Sequence, residues 1–249
     1  MSVIIKNKKN AMKRTILILL AMLMLTPAAL RGQEAESLYT GWGAGFHIGV
    51  GGMVPTGSLA DDLKGCAVFT GGFDLVYRRA RLKIDVNYSQ PSFKNENPYA
   101  VYDSQGRNLQ QNGTASTTNL GAGLQLGYTV WQQGKVSVTP CVGVNFNRLR
   151  WDMNTIKWEK DDEGKERPLI DNVTDVHENS TSWTASVDVD IALGGKFVDL
   201  GGKSHYISSV RITPFITHVG YSHLSPAVKG NWIGMTVSYS GLSRLLSKD

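Results

Sequence analysis

The chain has 249 residues, with 26 Lys and Arg against 21 Asp and Glu, so its net charge is +5. Six of the basic residues and none of the acidic ones fall within positions 1–32, so the remaining chain has 20 basic against 21 acidic residues and a net charge of −1. The isoelectric point of about 9.1 therefore belongs to the N-terminal segment and gives no support to nucleic-acid binding.

The N-terminal segment has the layout of a secretory signal peptide, a basic start followed by a short apolar run. That run extends from Ile16 to Leu25, about half of the roughly twenty residues that a membrane-spanning helix needs. We therefore predict a signal peptide at 1–32, which is removed on export, and one domain at 33–249. Two points stay open at this stage, cleavage after Ala28 or Gly32 and a start at Met1 or Met12.

The domain after this segment alternates apolar and polar residues with a period of two, the pattern of strands that have one apolar face. The clearest run sets Leu82, Ile84, Val86 and Tyr88 against Lys83, Asp85, Asn87 and Ser89. Only the seventh run is irregular, because Phe215 and Val219 break its alternation. The eight runs fall at 42–50, 66–78, 82–89, 119–130, 136–147, 183–193, 206–221 and 233–239.

The connections between these runs alternate in length. Short ones lie at 78–81, 132–135 and 198–204, and long ones at 55–65, 94–117, 152–180 and 222–230. Short turns at one end and long loops at the other are typical of an antiparallel barrel that crosses a membrane. The sequence therefore predicts an all-β fold, a transmembrane up-and-down antiparallel β-barrel of about eight strands.

Aromatic residues near the ends of the runs fit the two interfacial girdles of such a barrel. A soluble barrel or sandwich with these rings in its core is the alternative, but its interior would have to hold nearly all of the large apolar side chains. The predicted girdle residues are Trp42, Tyr77, Tyr88, Tyr128, Trp151, Trp183, Tyr221 and Trp232.

The signal peptide, the eight alternating runs and the rhythm of short turns and long loops resemble the small outer-membrane barrels of the OmpA-transmembrane-domain and OmpX kind. They also resemble the PorT-like barrel domains that are common in Bacteroidetes. The resemblance implies the outer membrane of a Gram-negative cell envelope, with outer-membrane lipid and lipopolysaccharide as surroundings. One departure is that Tyr239 is followed by ten more residues, whereas such barrels often end on an aromatic residue.

Charged residues recur on the face that would point into the lumen. An eight-stranded barrel is only wide enough inside for side chains, so we expect these groups to form a plug of ion pairs. A narrow pore through them is an alternative. The predicted polar network of the lumen consists of His47, Asp74, Lys83, Asp85, Asp188, Asp190 and Arg211.

His223 and Ser225 resemble the His-x-Ser segment of outer-membrane lipid A deacylases, in which the His activates a Ser nucleophile. The resemblance implies His223 as base and Ser225 as nucleophile. Pro226 stands where those enzymes have Asn, and the following strand offers no acidic residue to orient the His. A lipid hydrolase is therefore an alternative, and a polar loop is the preferred interpretation.

No cofactor is expected, and Asp161-Asp162-Glu163-Gly164 lacks the ligand spacing of a calcium loop, so no metal is expected either. We predict instead that 152–180 and 94–117 form exposed hairpins where a protein partner would bind. The leading hypothesis is a non-enzymatic barrel that displays these loops for adhesion, for envelope integrity or within an envelope or secretion complex.

The chain has two cysteines, Cys66 and Cys141. Export would permit a disulfide, but the two residues fall on strands predicted to lie far apart around the barrel. Two free thiols are the preferred interpretation, and a disulfide stays open.

Overall fold

The computed structural model describes residues 39–94, 101–102, 104–112, 117–198, 204–221 and 228–246. The predicted signal peptide lies outside the described residues. The elements in chain order are β1 (Tyr39–Gly57), α1 (Leu59–Asp62), β2 (Cys66–Tyr77), β3 (Ala80–Ser89), β4 (Val101–Tyr102), β5 (Asn108–Asn112), β6 (Thr118–Tyr128), β7 (Trp131–Gln133), β8 (Val136–Lys160), β9 (Glu166–Val198), β10 (Ser204–Tyr221) and β11 (Val228–Leu246). None of the described helices is long and apolar enough to cross a membrane.

Eight of these strands form a closed ring in the order β1, β2, β3, β6, β8, β9, β10 and β11. Every neighbouring pair is antiparallel, and β11 closes the ring against β1 with Ile48 opposite Tyr239. Strands that follow one another around the ring also follow one another along the chain. The predicted up-and-down barrel of eight strands is confirmed.

The barrel has its apolar side chains on the outside. Ile48, Phe73 and Leu126 are each about two-thirds exposed, at 65%, 68% and 66%. Exposed large apolar residues occur on seven of the eight strands of the ring, and on β10 the outward Val210, Ile212 and Ile216 are half-buried. Apart from an apolar layer at the long-loop end, most lumen-facing residues of the same strands are polar or charged and buried. Exposure of such an apolar exterior to water is unfavourable in free energy, whereas contact with hydrocarbon is not. The fold is therefore that of a transmembrane barrel, and the soluble alternative is wrong.

The two ends of the barrel differ. At the short-turn end, Arg78 and Arg79 alone join β2 to β3. At the long-loop end, β8 and β9 continue as a hairpin to the turn at Asp161–Lys165, where Gly164 has a φ of +77°. That left-handed backbone favours glycine, because a Cβ would crowd the following carbonyl. The predicted exposed hairpin at 152–180 is thus mostly strand, and its turn contains Gly164.

Both cysteines are free thiols, with Cys141 buried in the lumen and Cys66 half-buried on β2. Maleimide is expected to label Cys141 at least about tenfold more slowly in the folded barrel than after heating in SDS, because burial makes a thiol inert. Mass spectrometry of the labelled chain checks this. Mobility on a gel that changes with reductant would contradict it.

Candidate functional site

Eight ionisable side chains from five strands meet inside the barrel, and we call them the lumen cluster. Each occupies the polar phase of its strand, so the alternation of the pleat directs it inward. All eight are buried. The lumen cluster consists of His47 on β1, Asp74 on β2, Arg81, Lys83 and Asp85 on β3, Asp188 and Asp190 on β9, and Arg211 on β10.

Asp188 lies at the centre of the lumen cluster and is 0% exposed. Its Oδ2 accepts a hydrogen bond from Arg81 Nη1 at 3.0 Å, and its Oδ1 accepts one from Lys83 Nζ at 3.1 Å. The hydroxyl of Thr213 donates to Oδ1 as well, at 2.9 Å. One carboxylate therefore joins β3, β9 and β10 across the lumen.

Arg211 makes the second set of links. Its Nε donates to Asp190 Oδ1 at 2.7 Å, and its Nη1 donates to Asp74 Oδ2 at 2.9 Å on the other side of the lumen. Arg81 Nη2 donates to the second oxygen of Asp190 at 2.9 Å. Charge-assisted bonds of this kind are among the strongest that side chains form.

His47 lies between two carboxylates. Its Nδ1 is 3.4 Å from Asp74 Oδ2, and its Nε2 is 2.8 Å from Asp85 Oδ1. Apart from His47, the lumen cluster has four carboxylates, Asp74, Asp85, Asp188 and Asp190, against three cations, Arg81, Lys83 and Arg211. A positively charged His47 makes the cluster neutral.

The lumen cluster is thus a plug in which opposite charges pair with each other. Gln125 extends it, because its Nε2 donates to Asp85 at 2.7 Å while its Oε1 accepts from Ser186 at 2.9 Å. Within the described part of the chain, no group of three His, Cys, Asp or Glu side chains could hold a metal ion. What this arrangement can do is hold the strands together through ion pairs and hydrogen bonds.

A second layer fills the barrel at the long-loop end, where the lumen becomes apolar. We call it the mouth core. It comprises Met53, Leu59, Leu63, Val68, Leu149, Trp151, Val219, Tyr221, Val228 and Trp232, all buried.

Three of the predicted girdle residues belong to this mouth core, so that part of the prediction is wrong. Trp151, Tyr221 and Trp232 are 3%, 0% and 1% exposed and point inward. They share the lumen phase of their strands, and the apolar loop that covers the barrel gives them partners there. The remaining five lie on the outside, each at least 40% exposed: Trp42, Tyr77, Tyr88, Tyr128 and Trp183.

The short helix α1 covers the mouth core. Leu59 and Leu63 point down into the barrel, each 1% exposed. Ser58 Oγ donates to the carbonyl of Lys229 at 2.9 Å, which fastens the start of α1 to β11. At the far end Lys94 N donates to the carbonyl of Asp62 at 2.7 Å. Partial burial, together with the neighbouring charge of Asp61, raises the pKa of Asp62.

Beyond the mouth core, four strands continue as a sheet that we call the projecting sheet. It consists of β4, β5 and residues 152–160 and 166–175 of β8 and β9, and β5 pairs with β8. The turn of its main hairpin is held by Asp161, whose Oδ1 accepts backbone hydrogen bonds from Glu163 at 3.1 Å and Lys165 at 2.9 Å.

The projecting sheet has paired charges and an exposed apolar surface. Lys157 Nζ donates to Asp171 at 2.7 Å, and this hydrogen bond raises the pKa of Lys157. Ile170 and Val173 on one face of the sheet and Leu169 on the other are all at least half exposed. A surface with apolar side chains among paired charges is suited to contact with another macromolecule.

The structure brings together all seven residues predicted for the lumen and adds Arg81, which the sequence placed in a turn. Arg81 shares the phase of Lys83 and Asp85, so the alternation itself could have identified it. The deacylase candidates His223 and Ser225 lie outside the described residues.

Comparison with known proteins gives structural neighbours of low similarity. The crystal structure of Neisserial surface protein A has 12% identity and a TM-score of 0.37, and covers 81% of this chain and 94% of its own. The solid-state NMR structure of outer membrane protein AlkL in lipid bilayers has 18% identity and a TM-score of 0.34, with 88% and 96% covered. The outer membrane protease OmpT from Escherichia coli has 10% identity and a TM-score of 0.33, with 85% and 100% covered. No family model and no curated protein matches the chain.

Proposed function

We propose that this chain is a non-enzymatic barrel of the bacterial outer membrane whose projecting sheet binds a protein partner in adhesion or in an envelope or secretion complex. The observation that carries the proposal is the difference between the filled lumen and the exposed projecting sheet. The lumen is filled by ion pairs and by the mouth core, while the projecting sheet offers exposed Leu169, Ile170 and Val173.

The outer membrane is the membrane that fits this fold. Membrane-spanning barrels need a hydrocarbon-facing belt and a signal for export, and the chain combines an apolar exterior with a basic and apolar N-terminal segment. In barrels of the outer membrane the short turns face the periplasm and the long loops face the outside of the cell. The projecting sheet of this chain therefore faces the outside.

The filled lumen argues against a narrow pore as the main role. Asp188, Arg81 and Lys83 occupy the centre of the cross-section, and Trp232 and Leu59 close the outer end. Ion flow would require breaking several buried ion pairs, each costly to separate. Planar-bilayer recordings of the purified barrel are expected to show no conductance, and steady channels would contradict this part of the proposal.

Photo-crosslinking in intact cells tests the binding role. A photoreactive amino acid in place of Val173 on the projecting sheet is expected to give a protein adduct of defined mass. The same amino acid in place of Met235, which lies exposed on the apolar belt, is the matched control and is expected to give lipid adducts. Lipid adducts at both positions would place the projecting sheet against the membrane and overturn the proposal.

A further inference from the structure

The outward face of β8 changes from apolar to cationic within one step. Val142, Val144 and Phe146 are exposed apolar residues at alternate positions, and Arg148 and Arg150 occupy the next two outward positions. Since successive outward residues on a strand lie about 7 Å apart, the guanidinium of Arg148 begins where the hydrocarbon belt ends.

The exposed apolar residues of the neighbouring strands end within two outward positions of Arg148, at Leu120 on β6 and at Trp183 on β9. Leu120 on β6 lies opposite Arg148, and it is the last exposed apolar residue before Thr118. On the other side Asn179 of β9 lies opposite Arg148. Arg148 is therefore flanked by hydrocarbon-facing Leu120 on one strand and by an exposed amide on the other.

Arg148 also differs from the arginine that follows it. Arg150 Nε lies 2.7 Å from Asp175 Oδ1, whereas Arg148 has no ion pair or hydrogen bond with any residue that the structure describes. Asp152 and Asp175 face each other one step farther from the belt. The side chains thus change from apolar to cationic and then to anionic with increasing distance from the hydrocarbon.

That order is complementary to a phosphorylated lipid. Lipid phosphates lie at the edge of the hydrocarbon, arginine binds phosphate through two parallel hydrogen bonds, and a long side chain can rest on apolar surface while its charged end reaches the headgroup. The carboxylates beyond Arg148 would repel a phosphate placed farther out.

We propose that Arg148 binds the phosphate of a phosphorylated lipid of the outer leaflet, such as lipid A, with the side-chain amide of Asn179 as second donor. The acyl chains of this lipid lie along Val142, Val144 and Phe146. The site rests on the proposed outer-membrane location, because only there does this face of the barrel meet such a lipid.

Native mass spectrometry of the purified mature barrel, released from detergent micelles, tests the site. The probes are lipid A and the same lipid with its phosphates removed. Arg148→Gln is expected to weaken binding of lipid A about tenfold, as loss of a charge-assisted bond does, and to leave binding of the dephosphorylated lipid unchanged. Lys160→Gln is the control, since Lys160 is an exposed cation at the far end of the same hairpin, and it is expected to bind as the unchanged protein does.

Equal lipid A affinity for Arg148→Gln and the unchanged barrel would overturn the site. So would an equal loss in Lys160→Gln, or displacement of lipid A by an excess of inorganic phosphate, which would assign Arg148 to a free anion. Heat-modifiable migration on gels verifies that each variant is folded. A chain that stays soluble without detergent would overturn the proposed function as well, whereas a folded barrel with unchanged affinity overturns the lipid site alone.

Discussion

Asp188→Asn is expected to destabilise the barrel by about 3–5 kcal/mol, the cost of removing one partner from a buried ion pair. The substitution conserves volume and removes only the charge. Arg81 and Lys83, which donate to the two oxygens of Asp188 at 3.0 and 3.1 Å, would then lose their shared counter-charge in a lumen that water does not reach. Urea unfolding in lipid vesicles measures the change, and the temperature at which the folded gel band disappears gives a second readout.

Asp175→Asn is the matched control, because it removes an aspartate that pairs with Arg150 at 2.7 Å on the exposed projecting sheet. Exposed pairs contribute little, so its effect is expected to stay below about 1 kcal/mol. Adding Lys83→Met to Asp188→Asn is expected to restore part of the lost stability, since one uncompensated cation disappears. Equal effects of the two aspartate substitutions would show that the lumen cluster does not hold the barrel together.

The sequence predicted the barrel well because membrane and lumen impose opposite demands on alternate residues. In β3, Leu82, Ile84 and Val86 face hydrocarbon while Lys83 and Asp85 face the lumen, and nothing but a two-residue period satisfies both. The same rule placed seven charged residues in the lumen. It placed Arg81 in a turn because the predicted run begins at Leu82, two residues after β3 begins at Ala80.

The girdle prediction failed at three residues because it considered only that they lie near the ends of strands. It did not consider whether they lie on the outward or the lumen-facing side. Trp232 precedes Ile233 by one residue and therefore shares the lumen phase of Gly234 and Thr236. Phe215 and Val219, which broke the pattern of the seventh run, also belong to the inward phase, and Val219 is completely buried. The lumen is apolar at one end because α1, a segment distant in sequence, packs on it there. Alternation within a strand carries no information about such a segment.

The sequence predicted a hairpin at 152–180, but not that its strands continue β8 and β9 of the barrel without a break. Polar and apolar residues alternate weakly in 152–180, because neither face of a hairpin above the membrane meets hydrocarbon. Pairing along the whole length of β8 and β9, from Val136 opposite Ile191 to Lys160 opposite Glu166, holds it as strand.

Trp232→Ala is expected to cost about 3–5 kcal/mol, the usual loss when a large aromatic residue is removed from a packed core. Trp42→Ala is the matched control, because Trp42 is 55% exposed on the outside while Trp232 is 1% exposed in the mouth core. Trp42 packs on Tyr77 with ring centroids 4.7 Å apart, so its loss is expected to cost about 1 kcal/mol. Urea unfolding in lipid vesicles measures both values.

Trp232→Ala and Trp42→Ala are also expected to differ in which part of the barrel becomes open to protease. This difference distinguishes a residue of the mouth core from a residue of the membrane girdle. Trp232, Leu59 and Leu63 belong to one buried cluster, so an empty site at Trp232 loosens α1 and the segment after it. Trypsin is therefore expected to cleave after the exposed Lys64 faster in Trp232→Ala than in the unchanged barrel, and at an unchanged rate in Trp42→Ala. Faster cleavage in Trp42→Ala alone would mean that the outer tryptophan holds the loop, and that α1 does not depend on the apolar packing beneath it.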